Sequence, residues 1–466
     1  MNDYPNLQTA LVSGAPYDWR ASCRPERPYR HDYSQTLTLK LFLAQPSPDH
    51  TSSDVFMTFS QALENIRLMD QLTWGVPKIV YLVGWQYLGH DSQYPAWHQV
   101  NDALKRPCDD TALDSLLWLM REARHYHTVV SVHINMFDAY PNSPLWQTYL
   151  DKGLLVTEAD GTLQKAGIWN GMQAYCVSYP REWDSGFAQK RIDEICSLLP
   201  LQEAGTVHLD AFNCREDPGH GLTLADSQAA RRKIVRYWRD LGIDVTSEYL
   251  YSDWDLEADV QVDQLVGLQP MAYQLSQTLE DYLDRPASLL CGGCPHKRNK
   301  FGDTREIAPL FGAAMLPETL FRGGAGLPPP LREEFIRDFC QKQLRFFYLN
   351  SLERLEVSVT KAEVTARFSS GVTTRLHQGT MYRNGVCMQD ASGCCIPAVW
   401  CGATILYTEV GGLVKYNLSQ ILDCPSNTTF RVEFLDGREM ILPLDQGHLQ
   451  LNLPPKTMIR LLAYPS

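Results

Sequence analysis

Apolar residues in the first 270 positions of this chain alternate between two patterns, one typical of buried strands and one typical of amphipathic helices. Short apolar runs predict strands at 36–43, 78–85, 128–135, 205–210, 243–248 and 262–269. Between several of these runs, apolar residues spaced three and four apart predict helices at 59–72, 113–120, 183–199 and 224–241. Strands and helices that alternate in this way indicate parallel βαβ units.

The number of these units predicts the fold class. Five or more strand–helix units before residue 270 exceed the needs of a small doubly wound domain and predict a (β/α)8 barrel, assigned here to 36–350. From residue 351 onward the strands are short and separated by turns, which predicts an all-β sandwich domain over 351–466. The polar, Pro-rich segment 1–35 is interpreted as a lead-in that lies over the barrel.

Composition narrows the class of protein. The chain has 466 residues and a formal net charge of −12, so binding along nucleic acid is not expected. No apolar stretch approaches the 18 residues of a transmembrane helix, and the N-terminus lacks the pattern of a signal peptide. The 13 cysteines follow no disulfide framework. We therefore expect a cytoplasmic protein that binds neither nucleic acid nor membrane.

Two carboxylates carry the candidate chemistry. Asp210 and Glu248 each close a predicted strand, and the two strands are consecutive along the chain. In a parallel barrel both side chains would lie at the C-terminal mouth, on adjacent strands. A pair of carboxylates facing each other across a cleft is what cleavage of a glycosidic bond requires. The alternative is a salt bridge or a helix cap for one of them.

Other candidates at strand ends allow two interpretations each. His133 and Asn135 close the strand at 128–135, where a site residue is expected, although a hydrogen-bonded core histidine explains His133 equally well. The polar and aromatic segment 84–91 follows another strand and is either a ligand-binding loop or an ordinary connection. Cys291, Cys294 and His296 supply half of a zinc motif without the second half. No metal and no other cofactor is expected.

Several ordered motifs resemble one enzyme family. The strand and loop at 80–92 resemble the corresponding segment of the endo-α-N-acetylgalactosaminidases, glycoside hydrolase family 101. Further similarities to that family follow in the same order, at 131–135 with 139–141, at Trp169-Asn170 with Gln173, at 208–213, at 247–249 and at 396–400.

This resemblance implies a retaining hydrolase that cleaves α-linked N-acetylgalactosamine from a carbohydrate or glycopeptide-derived substrate. Asp210 would be the nucleophile and Glu248 the general acid/base. His90 and Asp91 would hold the sugar, and Trp169 would line its subsite. The full set of residues predicted to bind substrate is His90, Asp91, His133, Asn135, Trp169, Gln173 and Phe212.

The chain departs from the family pattern at three positions. Gly171 replaces a tryptophan, Phe212 stands where a tryptophan follows the nucleophile, and Tyr249 replaces the tryptophan after the acid/base. The missing tryptophan at Gly171 keeps a second hypothesis open, a retaining exo-α-glycosidase for another sugar such as an α-galactoside. A third hypothesis is a non-catalytic carbohydrate-binding barrel.

Overall fold

The computed structural model describes residues 28–247, 265–267, 324–360 and 363–464. The fold up to residue 267 is mixed α/β, as the sequence predicts. Its strands are β1 (Leu37–Phe42), β2 (Ala44–Pro46), β3 (Ser53–Val55), β4 (Lys78–Val83), β5 (Thr128–Asn135), β6 (Asp138–Ala139), β7 (Lys165–Trp169), β8 (Met172–Cys176), β9 (Thr206–Asp210), β10 (Asp244–Ser247) and β11 (Leu265–Gly267).

Six of these strands form one parallel sheet in the order β1-β4-β5-β9-β10-β11, so the spatial order follows the chain order. Every residue of β1, β4, β9 and β10 is buried, as expected for a parallel sheet covered on both faces. This sequential parallel order is that of a barrel wall. The strands needed to close a (β/α)8 barrel would fall outside the described residues, and the closed barrel stays a prediction.

Helices connect the parallel strands where the apolar periodicity predicts them. Three of them begin with reciprocal capping boxes, at Thr58, Thr111 and Thr223. The predicted helix at 183–199 is instead two helices, because the chain turns at Ser185 and Gly186. The α-helices of this half are Phe59–Leu72, Ala112–Glu122, Trp146–Asp151, Tyr179–Asp184, Phe187–Leu198, Leu201–Ala204 and Leu224–Asp240. Throughout the described part of the chain, helices are too short or too polar to cross a membrane.

The described end of the lead-in segment is fastened to the sheet by the buried carboxylate of Asp244. The backbone N–H groups of Arg30 and His31 donate to this carboxylate at 2.9–3.2 Å. The buried guanidinium of Arg239 pairs with the same group. The charge of Asp244 is thereby compensated inside the protein, at the N-terminal end of β10.

One face of the parallel sheet carries hydrogen-bonded polar side chains. The hydroxyls of Tyr33 and Tyr81 lie 3.0 and 2.6 Å from Thr206 Oγ1. Two residues further along β9, His208 Nδ1 lies 2.9 Å from Thr246 Oγ1. Because side chains alternate between the two faces of a strand, Thr206, His208 and Asp210 share one face. This polar column leads along β9 toward its carboxyl end.

A β-hairpin that the periodicity did not predict follows β5. Strands β7 and β8 pair antiparallel, and Asn170 and Gly171 join them in a two-residue turn. Both turn residues have positive φ, 46° and 80°, as a type I′ turn requires. The Asn-Gly pair is the sequence signal for this turn, and it explains why glycine occupies position 171.

The C-terminal part of the chain is all antiparallel, as predicted. Ten strands form one sheet in the order β12-β13-β14-β15-β16-β17-β18-β23-β20-β21, and β19 pairs with β22. The strands are β12 (Arg354–Val359), β13 (Val364–Phe368), β14 (Val372–Arg375), β15 (Met381–Arg383), β16 (Val386–Asp390), β17 (Gly393–Ala398), β18 (Ala403–Thr408), β19 (Gly412–Asn417), β20 (Thr429–Phe434), β21 (Glu439–Pro443), β22 (His448–Leu453) and β23 (Thr457–Ala463).

A continuous helical segment, Pro329–Asp338, Phe339–Gln343 and Leu344–Asn350, precedes the antiparallel strands. Trp400 packs against this segment and also donates from Nε1 to the carbonyl of Thr73 in the α/β part, at 3.0 Å. The β-sandwich therefore contacts the helical side of the α/β part. A last short helix, Leu418–Leu422, lies between β19 and β20. The division into domains at residue 350 stays a prediction.

Candidate active site

Asp210 is the last residue of β9 and the centre of the candidate site. Its residue exposure is 9%, so the carboxylate is mostly buried but reaches solvent. The next residue, Ala211, has a φ of 45°, and the N–H of Asn213 donates to the carbonyl of Ala211 at 2.6 Å. A non-glycine residue in the left-handed region costs roughly 1–2 kcal/mol. The surrounding structure stabilises this sharp turn directly after the candidate nucleophile.

Asn135 links Asp210 to a second carboxyl group. Asn135 is paired in register with Asp210 on the neighbouring strand. Its Nδ2 donates to Asp138 Oδ2 at 2.7 Å and to Asp210 Oδ2 at 3.4 Å. Its Oδ1 accepts from the N–H groups of Phe137 and Asp138 at 2.7 and 2.8 Å. These two acceptor contacts fix the orientation of the amide, so its N–H groups point at the two carboxyls.

Two histidines border the other side of Asp210. His133 Nε2 lies 3.5 Å from Asp210 Oδ1, and its ring stacks on His208 with centroids 5.0 Å apart. The ring of His90 meets that of His133 edge-on at 5.2 Å. His90 Nε2 also lies 3.3 Å from Asp91 Oδ2. Ligand atoms of His90, His133 and Asp210 all lie within 4.8 Å of one another.

The loop that carries His90 and Asp91 packs closely against the backbone of β2. The N–H of His90 donates to the carbonyl of Ala44 at 2.9 Å. A Cβ at Gly84 would lie 1.9 Å from that same oxygen, so only glycine allows this approach. Asp91 itself has a φ of 54°. The loop therefore holds both polar side chains at the mouth of the sheet with little freedom.

Burial and like charges set the electrostatics of the site. Burial raises the pKa of Asp138 well above its usual range, and the charges of Asp91 and Asp210 raise it further, against the hydrogen bond from Asn135. Burial lowers the pKa of His133, an effect that the Asp210 carboxylate opposes. Tyr140 is buried beside the same carboxylates, and its pKa is raised by burial first. These effects favour a neutral Asp138.

The tip of the β7–β8 hairpin reaches the same site. Asn170 Nδ2 donates to the carbonyl of His90 at 3.0 Å. The ring of Trp169 lies over Gly167, whose added Cβ would be 2.9 Å from Trp169 Cζ2, and the residue is 47% exposed. Its neighbour Ile168 is 67% exposed. The hairpin thus presents an exposed aromatic surface next to the His90 loop.

Not every residue predicted from the sequence lies open to a ligand. Gln173 donates from Nε2 to the carbonyls of Gly167 and Ala174 at 2.8 and 2.7 Å, so this amide nitrogen stabilises the hairpin itself. Phe212 has no exposed surface and packs against Tyr179 beneath the site. This position favours a supporting role for Phe212 over direct contact with a ligand.

Some sequence predictions fall outside the described residues. They are the predictions for Glu248, for Tyr249, and for the segment with Cys291, Cys294 and His296. The last described residue before Glu248 is Ser247, which pairs with Leu209, the neighbour of Asp210.

Sequence reasoning missed Asp138 and Asn170. Asp138 follows the strand end at Asn135 by three residues, and an acid so close to a strand end is a usable signal. Asn170 stands in an Asn-Gly pair, which is a strong hairpin signal. That the hairpin tip reaches His90 could not be read from spacing, because the contact spans 80 positions along the chain.

Comparison with known proteins supports the resemblance given by the motifs. Residues 44–260 match the model of a family described as endo-α-N-acetylgalactosaminidase. This range contains β2, the whole His90 loop, the hairpin and Asp210.

Individual relatives match more distantly. An isomaltose glucohydrolase from Kribbella flavida is 29% identical over 168 residues, which cover 31% of this chain and 43% of that protein. Structures of the α-N-acetylgalactosaminidase NagBb from Bifidobacterium bifidum share the fold. The ligand-free structure has a TM-score of 0.53 at 16% identity, covering 75% of this chain and 57% of NagBb. The complex with GalNAc has a TM-score of 0.52 at 15% identity, with coverages of 81% and 60%.

The chain therefore spans about half the length of the relatives it matches. The structural similarity shows a shared fold, and the family model covers the segment that contains Asp210. Over residues 44–260 the chain is therefore similar to the endo-α-N-acetylgalactosaminidases, glycoside hydrolase family 101.

Proposed function

We propose that this protein is a retaining glycoside hydrolase that cleaves α-linked N-acetylgalactosamine glycosides. The observation that carries the proposal is the Asp210 carboxylate, which lies at the mouth of a parallel sheet between Asn135 and His133. A carboxylate that is oriented by a fixed amide and remains open to solvent on one side has the properties of a nucleophile.

In the proposed first step, an oxygen of Asp210 attacks the anomeric carbon of the bound sugar, and the bond from that carbon to the aglycone oxygen breaks. A proton from the acid/base residue goes to the leaving oxygen. In the second step water attacks the same carbon, the acid/base residue takes a proton from the water, and Asp210 is released as a carboxylate. Asn135 stabilises the charge and orientation of Asp210 in the free enzyme.

Glu248 is the proposed acid/base residue. Two positions before it, Thr246 Oγ1 contacts His208 on the face of the sheet that also carries Asp210. The support for Glu248 is the motif at 247–249, which lies inside the matched range 44–260 and resembles the family segment that carries the acid/base residue. A retaining mechanism needs the two carboxyls about 5–5.5 Å apart.

The proposed sugar subsite lies between the His90 loop and the hairpin tip. His90 and Asp91 supply polar groups for sugar hydroxyls, and the exposed ring of Trp169 supplies an apolar surface for a sugar face. The family match at residues 44–260 supports N-acetylgalactosamine as the sugar.

The decisive experiment is release of p-nitrophenol from a panel of aryl α-glycosides. The panel contains the α-N-acetylgalactosaminide, the Galβ1-3GalNAc α-glycoside, the α-galactoside and the α-glucoside. We expect release from one or both GalNAc substrates, and loss of that release in Asp210→Asn. The matched control is Asp184→Asn, an exposed aspartate on a helix away from the site. Full activity in Asp210→Asn would overturn the assignment of the nucleophile.

A second candidate is a retaining exo-α-glycosidase for another sugar. It is favoured by Gly171, because the type I′ turn at that position leaves the hairpin tip without the second tryptophan of the family pattern. Release from the α-galactoside or α-glucoside alone would support this candidate and keep the mechanism. A barrel that only binds carbohydrate would show no release, and a fluoro-sugar inactivator would not label Asp210.

A further inference from the structure

Two imidazoles and one carboxylate meet at the candidate site in a form that suits a metal ion. One ligand atom from each of His90, His133 and Asp210 lies within 4.8 Å of the others. The three residues come from three different positions in the sheet, the loop after β4, the end of β5 and the end of β9. Their convergence in space is therefore visible only in the folded structure.

The spacing of these atoms is close to that of a tetrahedral site. Zinc binds imidazole nitrogen and carboxylate oxygen at about 2.0–2.2 Å, so two such ligands at a tetrahedral angle lie about 3.4 Å apart. His133 Nε2 and Asp210 Oδ1 are 3.5 Å apart. This pair is therefore spaced as two ligands of one ion, and the third ligand atom, from His90, lies within 4.8 Å of both.

The surroundings stabilise the ligands in place. His133 is buried, and its ring is held by stacking on His208. Asp91 lies 3.3 Å from His90 Nε2 and can orient that ring, as carboxylates do for metal-binding histidines. The side chain of His90 is 17% exposed, so solvent and a fourth ligand can reach the cluster from that side.

We propose that His90, His133 and Asp210 form a binding site for a single zinc-like transition-metal ion. Two nitrogen donors and one oxygen donor favour Zn²⁺, Co²⁺, Ni²⁺ or Cu²⁺ over Mg²⁺ and Ca²⁺, which prefer oxygen ligands. A consequence that rests on the proposed function is reversible inhibition, because an ion bound to the Asp210 carboxylate engages the group that must attack the sugar.

The test measures binding without using activity. The full chain is treated with a chelator, dialysed, and titrated with Zn²⁺ in a calorimeter, and Co²⁺ is titrated in parallel while its visible absorption is recorded. We expect one Zn²⁺ per chain and an intense tetrahedral Co²⁺ spectrum. His90→Ala and Asp210→Asn should each weaken Zn²⁺ binding by at least about tenfold. His125→Ala, which removes an exposed histidine outside the cluster, should leave it unchanged.

The outcomes separate this inference from the proposed function. Equal Zn²⁺ affinity in the native chain, His90→Ala and Asp210→Asn, with each variant folded by circular dichroism, would overturn the metal site. Site-specific Zn²⁺ binding without release of p-nitrophenol from any glycoside of the panel would support the metal site and overturn the proposed function. Loss of glycosidase activity on chelation, restored by Zn²⁺, would overturn the inhibitory role of the ion.

Discussion

Two regions border the same candidate site and are built in opposite ways. The strand-end cluster, formed by His133, Asn135, Asp138 and Asp210, is buried and joined by hydrogen bonds and close contacts. The hairpin tip, formed by Ile168, Trp169, Asn170 and Gly171, is exposed on a two-residue turn. The structure joins the hairpin tip to the loop beside the cluster through the contact from Asn170 to the carbonyl of His90.

This difference separates two kinds of change. A substitution in the strand-end cluster disturbs several buried partners at once, whereas one at the hairpin tip meets mostly solvent. Among the described residues the chain departs from the family pattern at Gly171 in the exposed region and at Phe212 in the interior, and it keeps the carboxylate at Asp210. We infer that the cluster determines the type of reaction and that the tip adjusts the choice of sugar.

The largest expected effect tests Asp210 at the centre of the cluster. Asp210→Ala should lower kcat on the order of 10⁴-fold or more, because it removes the proposed nucleophile. Sodium azide can enter the space left by the carboxylate and attack an activated dinitrophenyl glycoside. The glycosyl azide should have inverted anomeric configuration, which NMR of the product detects. A variant that azide does not rescue, or a product of retained configuration, would contradict a nucleophilic Asp210.

Asparagines in the two regions provide the next comparison. Asn135→Ala removes a hydrogen bond to the Asp210 carboxylate and should lower kcat by roughly tenfold or more, since bonds to charged groups contribute about 1.5–3 kcal/mol. Asn170→Gly keeps the positive φ of the turn while it removes the contact to His90, and should mainly raise KM. The measurement is steady-state kinetics on the best substrate of the panel. Equal effects of both variants on kcat would contradict the inference that the cluster determines the reaction and the tip the choice of sugar.

Trp169 tests the exposed region by itself. Trp169→Ala removes the aromatic surface and should raise KM about tenfold, equivalent to about 1.4 kcal/mol, with kcat nearly unchanged. Ile168→Ala is the matched control, because Ile168 is the more exposed neighbour on the same strand. If both variants behave alike, the tip contributes only general apolar surface. If Trp169→Ala lowers kcat alone, the ring acts on the reaction and our interpretation of the tip is wrong.

The sequence predicted the parallel framework well because its signals are local. Helix starts at Thr58, Thr111 and Thr223 rest on capping residues three positions apart, and the buried strands are continuous apolar runs. The break at Ser185 and Gly186 was missed because apolar spacing continues across it. From residue 351 onward the sequence predicted the all-β class, whereas the order of the short strands in the sheet depends on how the chain turns between them.

The candidate site was predictable only in part, for a physical reason. The short apolar runs placed Asn135 and Asp210 at predicted strand ends, and the structure brings them together. The pairing of Asp138 with Asn135 depends on how the chain turns after β5, which no periodicity encodes. The position of the hairpin tip beside His90 depends on tertiary packing across 80 residues. Glu248 lies outside the described residues, and its role stays a proposal.

The last comparison concerns stability and is between two buried aspartates, Asp138 in the cluster and Asp217 in the segment after Asp210. Asp217 accepts from Thr157 N, Ser178 Oγ and His220 Nδ1 at 2.6–2.9 Å, and joins the segment after Asp210 to the hairpin region. Burial acts to raise the pKa of Asp217, but these hydrogen bonds outweigh it and lower the pKa below its usual value. The pKa of Asp138 is shifted in the opposite direction, raised first by burial.

These opposite shifts predict opposite dependences of stability on pH. Because Asp217 is more acidic when folded, its stabilisation is present above the unfolded pKa, about 3.9, and is lost as pH falls through the lower folded value. Because Asp138 is less acidic when folded, its stabilisation is present below about 3.9 and is lost as pH rises through the higher folded value.

Asp217→Asn should therefore lower the free energy of unfolding at pH 7 by roughly 1–3 kcal/mol, seen as a lower urea midpoint. In acid its stability should converge with that of the native chain. Asp138→Asn imitates the neutral acid and should gain stability relative to the native chain as pH rises from 5 to 9. Urea titrations of the native chain and both variants from about pH 2 to about pH 9 measure the two slopes, that of Asp217 in the acid part of the range and that of Asp138 above it. Slopes of the same sign would mean that Asp138 is ionised in the folded protein, and the cluster would then hold two negative charges next to Asn135.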